Sequence, residues 1–110
     1  MIICGLRVDS NNIIGSGHIT RCINFTKNHK KIKFIFITKN IHNKYLSELK
    51  SLKHKIIFIN KNLSTIEEVK YIKKILSREK ITNLIIDIYD LKKNYLKKLS
   101  KDLNNIYLID

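Results

Sequence analysis

The residue types that can do chemistry crowd into Arg7-Val8-Asp9-Ser10-Asn11-Asn12-Ile13-Ile14-Gly15-Ser16-Gly17-His18-Ile19-Thr20-Arg21-Cys22. His18 directly follows Gly17, at what the apolar spacing predicts to be the first turn of a helix. A helix start offers unpaired N–H groups and a positive dipole end, which suit a phosphate or a developing oxyanion. The same field favours neutral imidazole, the form a general base needs. Gly15 and Gly17 can adopt positive φ and let a ligand approach the backbone closely. The competing reading of His18 is a helix cap bonded to local backbone. Arg7 and Asp9 either pair with each other or with Arg21, fixing the loop, or contact a ligand. Asp87 ends a predicted buried strand and either caps the next turn or contacts a ligand. The G-x-G lacks the third glycine of the dinucleotide fingerprint, and Thr38 and Lys39, not an acid, end the second strand. That disfavours a nicotinamide cofactor.

These residues need elements to hold them. Short, β-branched, nearly continuous apolar runs predict strands at 2–8, 33–37, 56–59, 84–87 and 106–109, each covered on both faces. Amphipathic stretches lie between them. Ile19, Cys22, Ile23 and Thr26 mark one helix face; Ile41, Tyr45, Leu49 and Leu52 a second; Ile66, Val69, Ile72 and Leu76 a third; Leu91, Tyr95, Leu99 and Leu103 a fourth. Ser64 and Glu67 are spaced as a capping box, and Asp90 is placed to cap the fourth helix. The order βαβαβαβαβ predicts an α/β domain with a parallel sheet of about five strands and helices on both sides. In such sheets ligands bind at the carboxyl ends of the strands. Proline is absent and all three glycines lie within the first 17 residues, so later turns fall to Asn, Ser, Asp and Lys. Tyr45, Tyr71, Tyr95 and Tyr107 fall at core spacing; His29, His42 and His54 fall among lysines on expected surfaces.

At 110 residues, 44% hydrophobic and 28% charged, the chain is one globular domain at most, with no apolar run long enough to span a membrane. No cationic leader precedes the apolar start, and Cys4 and Cys22 are expected to be buried reduced thiols, which suits a cytoplasmic location. The net charge of +13 comes from 19 lysines but only three arginines, spread along the chain. Nucleic-acid readout favours arginine, so these lysines read as a solvated surface rather than a nucleic-acid interface. The sequence stops at Asp110, directly after the fifth strand, and the expectation is an incomplete amino-terminal domain of something longer.

The I-G-x-G-H-x-x-R-C pattern, preceded by R-x-D at the end of a first strand, resembles the amino-terminal signature of the UDP-2,4-diacetamido-2,4,6-trideoxy-β-L-altropyranose hydrolases of pseudaminic acid biosynthesis. The match comprises Arg7, Asp9, Ser10, Ile14, Gly15, Gly17, His18, Arg21 and Cys22, with a second patch at Leu84-Ile85-Ile86-Asp87-Ile88-Tyr89 and a third at Leu108-Ile109-Asp110. The resemblance implies the Rossmann-like first half of a two-domain enzyme of the GT-B class. It implies that water attacks the anomeric carbon, UDP departs and the sugar is released with inversion, with His18 as base and Tyr89 at the sugar. Arg7, Asp9, Gly15, Gly17, Arg21 and Asp87 would line the substrate. A UDP-sugar is the implied partner, with no metal or other cofactor, no nucleic acid and no membrane. The family commonly has D-H-Y-G where this chain has Asp87-Ile88-Tyr89-Asp90. Two other readings stand beside this one: a glycosyltransferase with another nucleotide sugar, whose loop carries a similar G-x-G-H, and a basic, non-catalytic module that binds a polyanion.

Overall fold

The computed structural model describes residues 2–10, 17–87, 97, 99, 103 and 105–108. Five parallel strands form one sheet in the order β3-β2-β1-β4-β5: β1 is Ile3–Val8, β2 Lys33–Thr38, β3 Lys55–Phe58, β4 Asn83–Asp87 and β5 Asn105–Leu108. Helices alternate with them: α1 is Gly17–Lys27, α2 Asn43–Ser51 and α3 Thr65–Arg78, and the described Lys97 and Leu99 are also helical. This is a Rossmann-like α/β arrangement. Strand order reverses between β1 and β4, and a crevice opens at such a switch point.

Alternation along the strands sorts the core into two layers. Cys4, Leu6, Val8, Phe34, Phe36 and Ile85 face α1 and α2, meeting Ile19, Cys22, Ile23 and Leu49. Ile35, Ile37, Leu84 and Ile86 face α3, meeting Val69, Ile72, Ile75 and Leu76, with Leu99 closing the layer. Gly5 is needed where β1 passes β4, because a Cβ there would lie 3.0 Å from Leu84 Cδ1 and 3.3 Å from Ile81 Cγ2.

The predicted faces of α1 hold in full, and Ser64 and Glu67 form the reciprocal capping box at the start of α3. Several expectations need correction. Ile66 lies in the first turn of α3, turned outward and 57% exposed, and Ile75 takes the core position instead. Leu52, just past α2, is also exposed. Tyr71 and Tyr107 are exposed rather than packed, since α3 turns one to solvent and nothing among the described residues covers the other. His54 is not a surface residue set among lysines: its ring packs against Phe34 and Phe36, and its Nε2 lies 3.1 Å from Thr26 Oγ1. Asp90, Leu91 and Tyr95 lie outside the described residues.

Helix ends show how a chain short of glycine turns. After α2, Lys53 N–H donates to Lys50 O and His54 N–H to Leu49 O; after α3, Lys80 N–H donates to Ser77 O and Ile81 N–H to Leu76 O. Both are Schellman endings, and the left-handed position that usually falls to glycine is filled by Lys53 (φ 64°) and Lys80 (φ 58°).

The topology also gathers charge that the sequence scatters. Parallel strands are all entered from one edge, so the exposed Lys30, Lys31, Lys33, Lys53, Lys55 and Lys80 share the amino-terminal edge of the sheet. An apolar cavity of about 450 Å³ between Ile2, Phe25, Ile85 and Tyr107 lies towards this same edge. Its described walls carry the Cys4 thiol, which burial pushes up to about 11, beside the Tyr107 phenol. No described helix is long and apolar enough to cross a membrane.

Candidate active site at the carboxyl edge

Two polar clusters flank the carboxyl end of β1, one on each face of the sheet. Asp87 is the last residue of β4 and pairs in register with Val8. Strand alternation turns its side chain towards α1, where it is 0% exposed. The α1 helix begins at Gly17, so His18 and Arg21 rise from its first turns directly over this carboxylate. His18 Nδ1 donates to Asp87 Oδ1. Arg21 Nη2 donates to both carboxylate oxygens, at 3.1 and 3.2 Å, and lies 3.2 Å from His18 Nδ1. Cys22 Sγ approaches Asp87 Oδ2 at 3.9 Å. Its thiol is pushed up to about 12, first by burial and then by the neighbouring Asp87, so it remains S–H and is no nucleophile.

A carboxylate on Nδ1–H selects the tautomer whose basic lone pair is on Nε2. His18 is therefore held through Nδ1 as an oriented imidazole. Its side chain is 13% exposed. Gly17 is the first residue of α1 and does not use its freedom to take positive φ; a Cβ there would meet nothing within 4 Å.

The second cluster lies on the α3 face. Arg7 is 2% exposed; Nη1 donates to Asp9 Oδ1 at 2.7 Å, while Nε and Nη2 reach Glu68 at 3.4 Å each. Lys39 Nζ completes the group 2.8 Å from Glu68 Oε1. Asp9 Oδ1 also accepts from Thr38 Oγ1 and from Lys39 N–H. Burial works against the charge on Asp9, but Arg7, Lys39 N–H and the Thr38 hydroxyl outweigh it and hold the carboxyl below its usual range. Ser10 N–H donates to Asn40 O at 2.7 Å, so the start of the β1–α1 loop is pinned to the end of β2.

The structure thus brings His18, Arg21 and Asp87 together and places Arg7 and Asp9 in a separate anchoring group. Arg7 and Asp9 pair with each other, one of the two expectations for them. Gly15 and Tyr89 lie outside the described residues. Glu68 and Thr38 were not singled out from the sequence. Glu68 carried a usable signal: it precedes Ile72 and Ile75 by four and seven residues, so a charge falls on the buried face of its helix, where an ionic partner is required.

No family model matches the chain, and no curated protein matches it.

Proposed function

We propose that this domain is the base-supplying, sugar-facing half of a nucleotide-sugar hydrolase that cleaves a UDP-linked deoxy-diacetamido sugar, as the sequence resemblance implies. The observation that carries the reading is the His18–Asp87 pair at the strand-order switch, with open space beside Gly17. In this reading a water molecule lies against His18 Nε2. The water oxygen attacks the anomeric carbon, Nε2 takes its proton, and the bond from that carbon to the UDP oxygen breaks. Asp87 stabilises the imidazolium that forms, as an oriented carboxylate does beside other histidine bases. Arg7, Asp9 and Glu68 hold the loop that precedes α1. Tyr89, two residues beyond Asp87, contacts the sugar, and the nucleotide is held by a second Rossmann-like half.

The test is to run the reaction of the natural gene product in ¹⁸O-water with the UDP-sugar. Attack at carbon leaves UDP unlabelled and gives the inverted free sugar first. Label in UDP, or sugar release only when an acceptor alcohol is added, overturns hydrolysis at the anomeric carbon; the latter outcome supports a glycosyltransferase.

A second reading is favoured by the lysine-rich amino-terminal edge: a non-catalytic module that docks a polyanion there. Binding of that kind weakens steeply with salt. Heparin retention that vanishes between low and moderate salt, together with no UDP release by the natural gene product, would favour it.

A further inference from the structure

The donors that converge on Asp87 all come from one helix. His18, Arg21 and Cys22 stand at i, i+3 and i+4 of α1, a single helical face. An ionised carboxylate has about four lone-pair positions. Here Oδ1 receives His18 Nδ1–H and Arg21, while Oδ2 receives Arg21 and the Cys22 thiol. The last torsion of an aspartate is soft, so an unsupported carboxylate exchanges its oxygens or tilts from the imidazole plane. One guanidinium nitrogen touching both oxygens opposes that rotation, and its positive charge offsets that of the buried carboxylate.

We propose that Arg21 and Cys22 are positioning residues that lock the Asp87 carboxylate and thereby hold His18 in the Nδ1–H tautomer, with Nε2 presented as the base. The proposal deepens the reading of His18 as the base and reassigns Arg21 and Asp87, which the sequence pattern gives to the substrate. Cys22 suits the task because its thiol is buried, keeps its proton and cannot act as a competing nucleophile. Arg21 suits it because a guanidinium stays charged at any working pH.

The test reads the tautomer directly and needs no turnover. Long-range ¹H–¹⁵N spectra of the ¹⁵N-histidine-labelled chain at neutral pH distinguish a pyrrole-type from a pyridine-type nitrogen. The wild type is expected to show Nδ1 as pyrrole-type and Nε2 as pyridine-type at His18. Arg21→Gln should lose that majority in favour of the Nε2–H form. Arg21→Lys should restore part of it, and Cys22→Ala should produce a smaller shift that Cys22→Ser avoids. Amide spectra confirm that each variant is folded; if Arg21→Gln does not fold, the Arg21→Lys and Cys22 variants decide. A His18 tautomer unmoved in every folded variant overturns the proposal, and one unmoved only in Cys22→Ala removes Cys22 from it. Tautomer shifts as expected with no UDP release by the natural gene product would leave the positioning intact and defeat the hydrolase reading.

Discussion

Removing the Arg7 or Glu68 charge should be costly singly and much less so together. Arg7 is a nearly inaccessible cation between two carboxylates, 2.7 Å from Asp9 and 3.4 Å from Glu68. Arg7→Met leaves both carboxylates without it in a buried setting, although Glu68 keeps Lys39 at 2.8 Å and Asp9 keeps Thr38 and the Lys39 amide. Removing one member of a buried pair costs about 3–5 kcal/mol. Glu68→Leu leaves Arg7 on Asp9, and Lys39, a quarter exposed, turns to water; that loss is about 2–3 kcal/mol, the range for hydrogen bonds to charged groups. The double variant Arg7→Met/Glu68→Leu removes the cation together with one of its two carboxylates and leaves only Asp9, with its Thr38 and Lys39 amide donors, so it should fall short of the sum by about 2 kcal/mol or more. Urea denaturation of the four proteins closes the cycle, and thermal melts should follow at about 4–8 °C per kcal/mol for a domain near this size. Additivity within about 0.5 kcal/mol would refute the claim that the two residues act as one unit.

Burial keeps His54 below its ordinary value, so the fold favours its neutral form. Its contribution is complete above the unfolded-state value near 6.5 and declines as the pH falls below that; stability measured from pH 7.5 to 5 should drop less in His54→Gln than in the wild type. Lys80→Gly should stabilise by about 0.5–1 kcal/mol, because the left-handed C′ position of α3 strains any side chain; a destabilised variant in urea titration would contradict that assignment. Ser64→Ala should cost about 1 kcal/mol by removing the α3 cap, read by the same titration. Gly5→Ala should cost about 1–3 kcal/mol, since its methyl would press on Leu84 and Ile81.

The sheet was legible because each strand is a short β-branched run and each helix face repeats its apolar residues at 3.6-residue spacing. Ile19, Cys22, Ile23 and Thr26 needed nothing beyond that period to be placed inward. The site was legible in part. His18 stood out by following Gly17 at a strand-to-helix turn. Its partner Asp87 was visible only as an acid ending a strand, because their meeting depends on β4 lying beside β1, 69 residues away. The contact between Arg7 and Glu68, 61 residues apart, depends likewise on α3 covering that face of β1. Local pattern likewise failed for Tyr71 and Tyr107, where core-like spacing meets no covering element among the described residues. It failed for the lysines too, whose clustering at one edge is a property of parallel topology and not of any stretch of chain.

The central claim is that His18, oriented by Asp87, is the base that activates water. Its most direct test is steady-state UDP release by the natural gene product carrying His18→Ala, with a thermal melt alongside. The account predicts kcat lowered by roughly 10²–10⁴-fold, the usual range for a general base, with a melting temperature close to that of the wild type. Unchanged turnover would contradict it, and so would a loss of rate matched by a loss of fold.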